Sequence, residues 1–166
     1  VSAVTKMSGM FHGAINFNYN ISGWNTSNVT GMHFMFFGAH NFDQNISTNT
    51  NANTWNVSNV KNMTAMFSDS IKFNQNISNW NVSNVTYFDN MFRATNSLNV
   101  DGNINAYEIL HSYRNNNNFN GTSAGFTNVS LSEFDNKTDL QNAINLLPNN
   151  DGSTFNGYSP INTWKF

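Results

Sequence analysis

The chain is predicted to fold as an α/β repeat solenoid, with a short helix and a short strand in each coil and a non-repeat C-terminal cap. Three observations predict it. Met-Phe pairs recur at Met10-Phe11, Met35-Phe36, Met66-Phe67 and Met91-Phe92, in steps of 25, 31 and 25 residues; self-similarity at a fixed period of this size marks a repeat architecture. Other columns keep the same steps: Val4, Val29, Val60 and Val85; Met7, Met32, Met63 and then Phe88; Ala14, Ala39, Ser70 and Thr95; Phe17, Phe42, Phe73 and Leu98. Thirdly, the chain holds 36 Asn against 7 Lys plus Arg, interleaved with 15 Phe, 7 Met and 4 Trp. Aromatics held at fixed spacings are not what a disordered Asn-rich tract produces.

Within a unit, Met7, Met10, Phe11 and Ala14 fall at i, i+3, i+4 and i+7, the apolar stripe of a short helix. Thr5, Thr30 and Thr86 stand near its start, where a hydroxyl can accept from an orphan backbone N–H. Phe-Asn-Gln-Asn reads as a turn. Residues 77–83, Ile-Ser-Asn-Trp-Asn-Val-Ser, are rich in β-branched and aromatic side chains and predict a short strand. One unit cannot bury its apolar side alone, so stacked units must place Met on Met, Phe on Phe and Trp on Trp. Two further columns, Ile21, Ile46, Ile77 and Trp24, Trp55, Trp80, belong to that core. The Asn columns are expected to satisfy backbone groups in the turns. The long step comes from six extra residues within 48–54, ahead of Trp55; insertions fall on one face of a solenoid, which makes this one a candidate specificity loop.

The string Met-x-x-Met-Phe-x-x-Ala-x-x-Phe-Asn-x-x-Ile-Ser-x-Trp-Asn-Val-Ser-Asn-Val resembles the BspA-like bacterial surface-protein repeat over residues 4–98. That repeat is found in mycoplasma lipoproteins and other cell-surface proteins, and in some phage and large-virus proteins. The resemblance implies a leucine-rich-repeat-like solenoid with a surface-exposed binding or adhesive role, and it brings no catalytic residues.

The repeat domain is expected to span residues 1–98 and the cap 99–166. Residues 97–108 fit a calcium-loop template, with Asn99, Asp101, Asn103, Asn105 and Glu108 as candidate ligands and Gly102 at the sharp turn. The competing reading is an Asn/Gly turn that joins the last repeat to the cap, with no metal. Ile109, Leu110 and Tyr113 continue with helical spacing. Residues 115–125 read as a flexible linker or exposed loop. Thr138 and Gln141 resemble a capping box ahead of a helix near 138–147, which Pro148 stops. Residues 155–164 loosely echo the repeat's strand half. No matching cap precedes Val4, so the N-terminal face is expected to meet another chain or further sequence.

Composition excludes several classes. With 10 % charged residues and a net charge of −2, there is no basic stripe for nucleic acid. Cysteine is absent, which removes disulfides and thiolate metal sites and leaves the redox compartment unread. No apolar run reaches the roughly 20 residues that cross a bilayer. His12, His33, His40 and His111 occupy different columns, and neither a nucleophile elbow nor a phosphate loop occurs. Twelve Asn-x-Ser/Thr sequons occur, but nine recur only because the repeat recurs.

The expected function is therefore non-enzymatic protein recognition or adhesion, extracellular or at a cell or virion surface, with no cofactor unless calcium occupies the loop. Partners would be a host-surface protein or neighbouring subunits. The alternative is a self-assembling virion or surface-layer structural protein, a homo-oligomer. A remoter one is ice binding, for which the relevant column, Thr26, Val57 and Val82, keeps Thr only once.

Overall fold

A computed structural model describes residues 3–48, 55–100 and 102–129. The chain divides into two compact units, Val1–Val129 and Ser130–Phe166. The second unit, with the helix expected near 138–147 and the echo at 155–164, lies outside the described residues, as does most of the 48–54 insertion.

Successive repeats lie side by side in parallel, in the register that the sequence columns give. Single-residue bridges link Lys6 to Gly31, Gly31 to Asn62 and Asn62 to Tyr87. Around them runs a longer ladder. The N–H groups of Met7, Gly9, Phe11 and Gly13 donate to the carbonyls of Gly31, His33, Met35 and Phe37 at 2.7–3.0 Å. Those of Met32, Phe34, Phe36 and Gly38 donate likewise to Asn62, Thr64, Met66 and Ser68, and those of Met63, Ala65, Phe67 and Asp69 to Tyr87, Asp89, Met91 and Arg93.

This ladder explains why the expected helix does not form. In a helix every N–H is directed to the carbonyl four residues back. Here alternate N–H groups leave for the next repeat, and only those between them bond locally, Met10 to Met7, His12 to Gly9 and Ala14 to Phe11. The result is a chain of overlapping turns that keeps the i, i+3, i+4, i+7 pattern without helical dihedrals. Two columns adopt left-handed φ in every repeat: Gly9, Phe34, Ala65 and Asn90, then Gly13, Gly38, Asp69 and Ala94, with φ between 50° and 70°. Residues 77–83 are turns too rather than a strand, with Trp80 N–H on the Ile77 carbonyl and Ser78 N–H on the Asn76 side chain.

The apolar columns form the core. Phe36 and Phe67 stack at 5.6 Å and 4°, Phe42 and Phe73 at 6.1 Å and 5°, Trp55 and Trp80 at 6.2 Å and 5°. Offset stacks of this kind add about 0.5–1.5 kcal/mol each beyond area burial. Val29, Met32, Met35, Val60, Met63 and Met66 are fully buried among them. Thr26, Val57 and Val82 are buried as well, so the column considered for ice binding faces inward.

Most buried polar side chains are tied to the stack, Ser68 Oγ being a buried hydroxyl with no partner among the described residues. Trp55 Nε1 donates to the Ile21 carbonyl and Trp80 Nε1 to that of Ile46, both at 2.9 Å. The amide oxygens of Asn20, Asn45 and Asn76, and of Asn25, Asn56 and Asn81, accept from the N–H two residues on. These Asx turns close each corner, which is why Asn dominates the composition.

The ladder does not stop at Leu98. Helix α1 (Ile104–Tyr113) is capped by Asn103, whose side-chain oxygen accepts from Ala106 N–H, and buries Ala106, Tyr107, Ile109, Leu110 and Tyr113. The segment expected to be a flexible linker or exposed loop, 115–125, is a partly exposed loop that is bonded into the stack. Asn116 Nδ2 donates to the carbonyls of Val82 and Val85. Asn90 and Phe92 N–H donate to the carbonyls of Ser123 and Ala124 at 2.7 Å. Phe126 packs on Phe92 at 4.7 Å. Gly125, at φ +104°, passes so close that a Cβ there would lie 2.4 Å from the Arg93 nitrogen. Helix α1 and the turn after it thus fill out the fourth coil against the third, and residues 119–129 add a fifth, irregular layer on Asn90 and Phe92, in the stretch where the sequence placed the cap.

Candidate interaction surface

Of the side chains expected to ligate calcium, Asn99 holds the fifth layer, and Asn103, Asn105 and Glu108 tie α1 to the third repeat. Asn99 Oδ1 accepts from Thr127 and Asn128 N–H, and its Nδ2 donates to the Gly125 carbonyl. Asn103 Oδ1 is the helix cap, while its Nδ2 donates to Asn74 Oδ1 and to the Ser97 carbonyl. Asn105 Nδ2 donates to the Asn74 carbonyl. Glu108 Oε2 accepts from Asn76 Nδ2 at 2.7 Å. Asp101 lies outside the described residues. Two amide oxygens that calcium would require are thereby occupied by backbone N–H groups, and Asn105 and Glu108 are turned towards the third repeat. Among the described residues no group of three His, Asp or Glu side chains comes together.

Electrostatics add little. Burial holds the Tyr113 phenol well above its ordinary pKa of 10.0. His111 is lowered from 6.5 by partial burial and by Arg114, against an opposing pull from Glu108.

Two of the four histidines, His12 and His33, meet a common ring although the sequence columns kept them apart. Ser8 Oγ and His33 Nδ1 lie 2.9 Å apart, and the Phe34 ring stands between His33 at 5.8 Å and His12 at 6.4 Å. His12 also meets Phe37 edge-on at 4.9 Å. Neighbouring columns on adjacent repeats explain this, because the columns of Phe34 and His33 lie three and four residues from that of His12 and adjoin it across a turn.

Two surfaces remain as candidates for a partner. One is a polar cleft of about 380 Å³ between the corner of residues 80–83 and the stretch Ser112, Asn115, Asn116, Asn117 and Asn118. The other is the outer edge of the first repeat. Met10 is 43 % exposed, whereas its column mates Met35, Met66 and Met91 are fully buried. Phe11, Phe17 and Trp24 are partly exposed where Phe36, Phe42 and Trp55 are buried. Ile15 and Tyr19 are exposed on the same repeat.

No helix among the described residues is long and apolar enough to cross a membrane. Neither curated proteins nor solved structures gave a match to the chain. The family described as "Mycoplasma protein of unknown function, DUF285" matches it twice in tandem, over residues 1–51 and 47–134. These two matches cover the repeats and the fifth layer together, and the chain belongs to this Mycoplasma repeat family.

Proposed function

We propose that the chain is a non-enzymatic protein-recognition module displayed at a cell surface, built as a leucine-rich-repeat-like solenoid of the BspA-like kind. The observation that carries this reading is the asymmetry of the stack. Its far side is covered by α1 and the Phe126 layer, whereas its near side leaves Met10, Phe11, Phe17 and Trp24 incompletely buried. Exposed apolar surface with a polar rim is characteristic of protein-binding sites. The uncharged surface favours recognition by shape and amide hydrogen bonding over electrostatic steering.

Surface plasmon resonance of the purified chain against a panel of host extracellular and membrane-ectodomain proteins tests the reading. Saturable binding that Met10→Glu or Tyr19→Glu weakens supports it. A defined oligomer that binds none of the panel favours the alternative, a self-assembling surface-layer or virion component.

A further inference from the structure

We propose that the polar cleft beside the third corner of the stack binds a short neutral saccharide. This goes beyond the recognition reading, which concerns proteins and a different surface.

The cleft exists because that corner is not covered as the earlier ones are. Asn59 Nδ2 in the second corner donates to the Ser27 carbonyl in the first, and Asn84 Nδ2 in the third to the Ser58 carbonyl in the second. The Trp55 and Trp80 rings stack across the same corners. In the fourth coil α1 and the turn after it stand where a corner would be. Tyr113, Ser112 and Asn116 satisfy the carbonyls of Ile77, Ser78, Val82 and Val85. Among the described residues no donor reaches the Ser83 carbonyl, which continues the series Ser27 and Ser58. Between this corner and residues 115–118 an opening of about 380 Å³ is left, low in the range of roughly 300–1,000 Å³ that small-ligand sites span.

The lining is uncharged and partly locked. No Lys, Arg, His, Asp or Glu contributes to it. Asn116 fixes the loop with both ends of its amide, since its Oδ1 accepts from Asn118 N–H at 2.8 Å while its Nδ2 donates to the stack. Asn81 Oδ1 accepts from Ser83 N–H at 3.1 Å and Ser83 Oγ at 2.7 Å, which holds its Nδ2 in place as a donor. Asn115 and Asn117 are exposed, and their amides have no partner among the described residues. Each offers two N–H donors and one acceptor oxygen.

The occupant must match donors and acceptors set side by side without charge. An ion would find no counter-charge in the cleft. An extended peptide needs a free strand edge or pockets for alternate side chains, and the apolar lining residues, Trp80 and Val82, are nearly buried. Each hydroxyl of a sugar both donates and accepts, as that of serine does, so neighbouring hydroxyls can pair with the N–H and the oxygen of one amide together.

The test titrates the full, isotope-labelled chain with maltose, lactose, mannobiose and diacetylchitobiose, followed by NMR. The proposal predicts that at least one of them saturates, with shifts centred on the side-chain amides of Asn81, Asn115 and Asn117. Replacing two of these together, Asn115→Ala with Asn117→Ala, removes no hydrogen bond within the described fold and should weaken the affinity about tenfold or more. Asn96→Ala, at an exposed amide outside the cleft, should leave it unchanged. Absence of saturable binding by all four sugars overturns the proposal, and so does binding that the double variant leaves intact. Tighter binding of sialyllactose than of lactose, or saturation by a peptide with the sequence of residues 80–84 but by none of the sugars, would overturn the assignment to a neutral saccharide.

Discussion

Tyr113 holds its hydroxyl 2.9 Å from the Ile77 carbonyl oxygen, the place that Trp80 fills against Ile46 and Trp55 against Ile21. A helix residue thus takes over a bond that indoles make in the repeats, and this lets α1 replace the corner half of the fourth repeat without orphaning a buried carbonyl. Tyr113→Phe leaves that carbonyl unpaired and is expected to cost about 1–3 kcal/mol, read by urea denaturation.

The same phenol gives a pH dependence. Burial raises its folded-state pKa above 10.0, so its contribution is fully present below the unfolded value. As pH rises past about 10, the unfolded chain ionises while the folded chain resists, and stability falls until the folded value is reached. Unfolding midpoints should drop in that range, and the drop should shrink in Tyr113→Phe.

Left-handed positions not occupied by glycine store strain. Ala94 sits at φ 56°, where an L-residue costs about 1–2 kcal/mol. Ala94→Gly relieves this against a smaller gain in unfolded-state freedom, so it should stabilise by about 0.5 kcal/mol. Gly125→Ala should instead destabilise by several kcal/mol in about the range of a severe overpacking, because its Cβ would meet Arg93 backbone. Thermal unfolding of the two variants reads both signs.

These positions also show what the sequence could and could not reveal. Columns such as Met32-Met63 and Phe42-Phe73 were legible because buried stacking allows few substitutions. The expected helix failed because i, i+3, i+4, i+7 spacing fits overlapping turns equally well. Gly9, Gly13 and Gly38 take left-handed φ, but Phe34 and Ala65 stand in the column of Gly9, and Asp69 and Ala94 in that of Gly13 and Gly38, which leaves no glycine column to read. The second half of the fourth coil was illegible for a different reason. Tyr113 replaces Trp and a helix replaces the corner, so no column continues, and a run of Asn at 115–118 resembles a linker although Asn116 is bonded to two carbonyls. At the surface, the contacts of Phe34 with His12 and His33 needed the register to appear.

Asn99 bonds to three residues of the final turn, Gly125, Thr127 and Asn128. Asn99→Ala is expected to cost about 1–3 kcal/mol, as loss of a buried polar network does. Calcium at millimolar concentration should leave the unfolding midpoint of the parent chain unchanged. A rise of several degrees that Glu108→Gln abolishes would instead assign ligand roles to this loop.

Aromatic stacking makes one further prediction. Phe67 is fully buried and stacks on Phe36, Phe73 and Phe92, so Phe67→Ala should cost about 3–5 kcal/mol. Phe11→Ala, at the partly exposed end of the same column, should cost clearly less. Chemical denaturation of the pair measures the difference.

Amide hydrogen exchange, resolved residue by residue by NMR, tests the parallel register and its open edge most directly. The account predicts slow exchange at Met32, Phe34, Phe36 and Gly38 and at Met63, Ala65, Phe67 and Asp69, whose N–H groups cross to the next repeat. It also predicts slow exchange at Thr30 and Asn41 but fast exchange at their edge counterparts Thr5 and Asn16. Fast exchange at Ala65 and Phe67, or protection at Thr5 and Asn16 equal to that at Thr30 and Asn41, would contradict it.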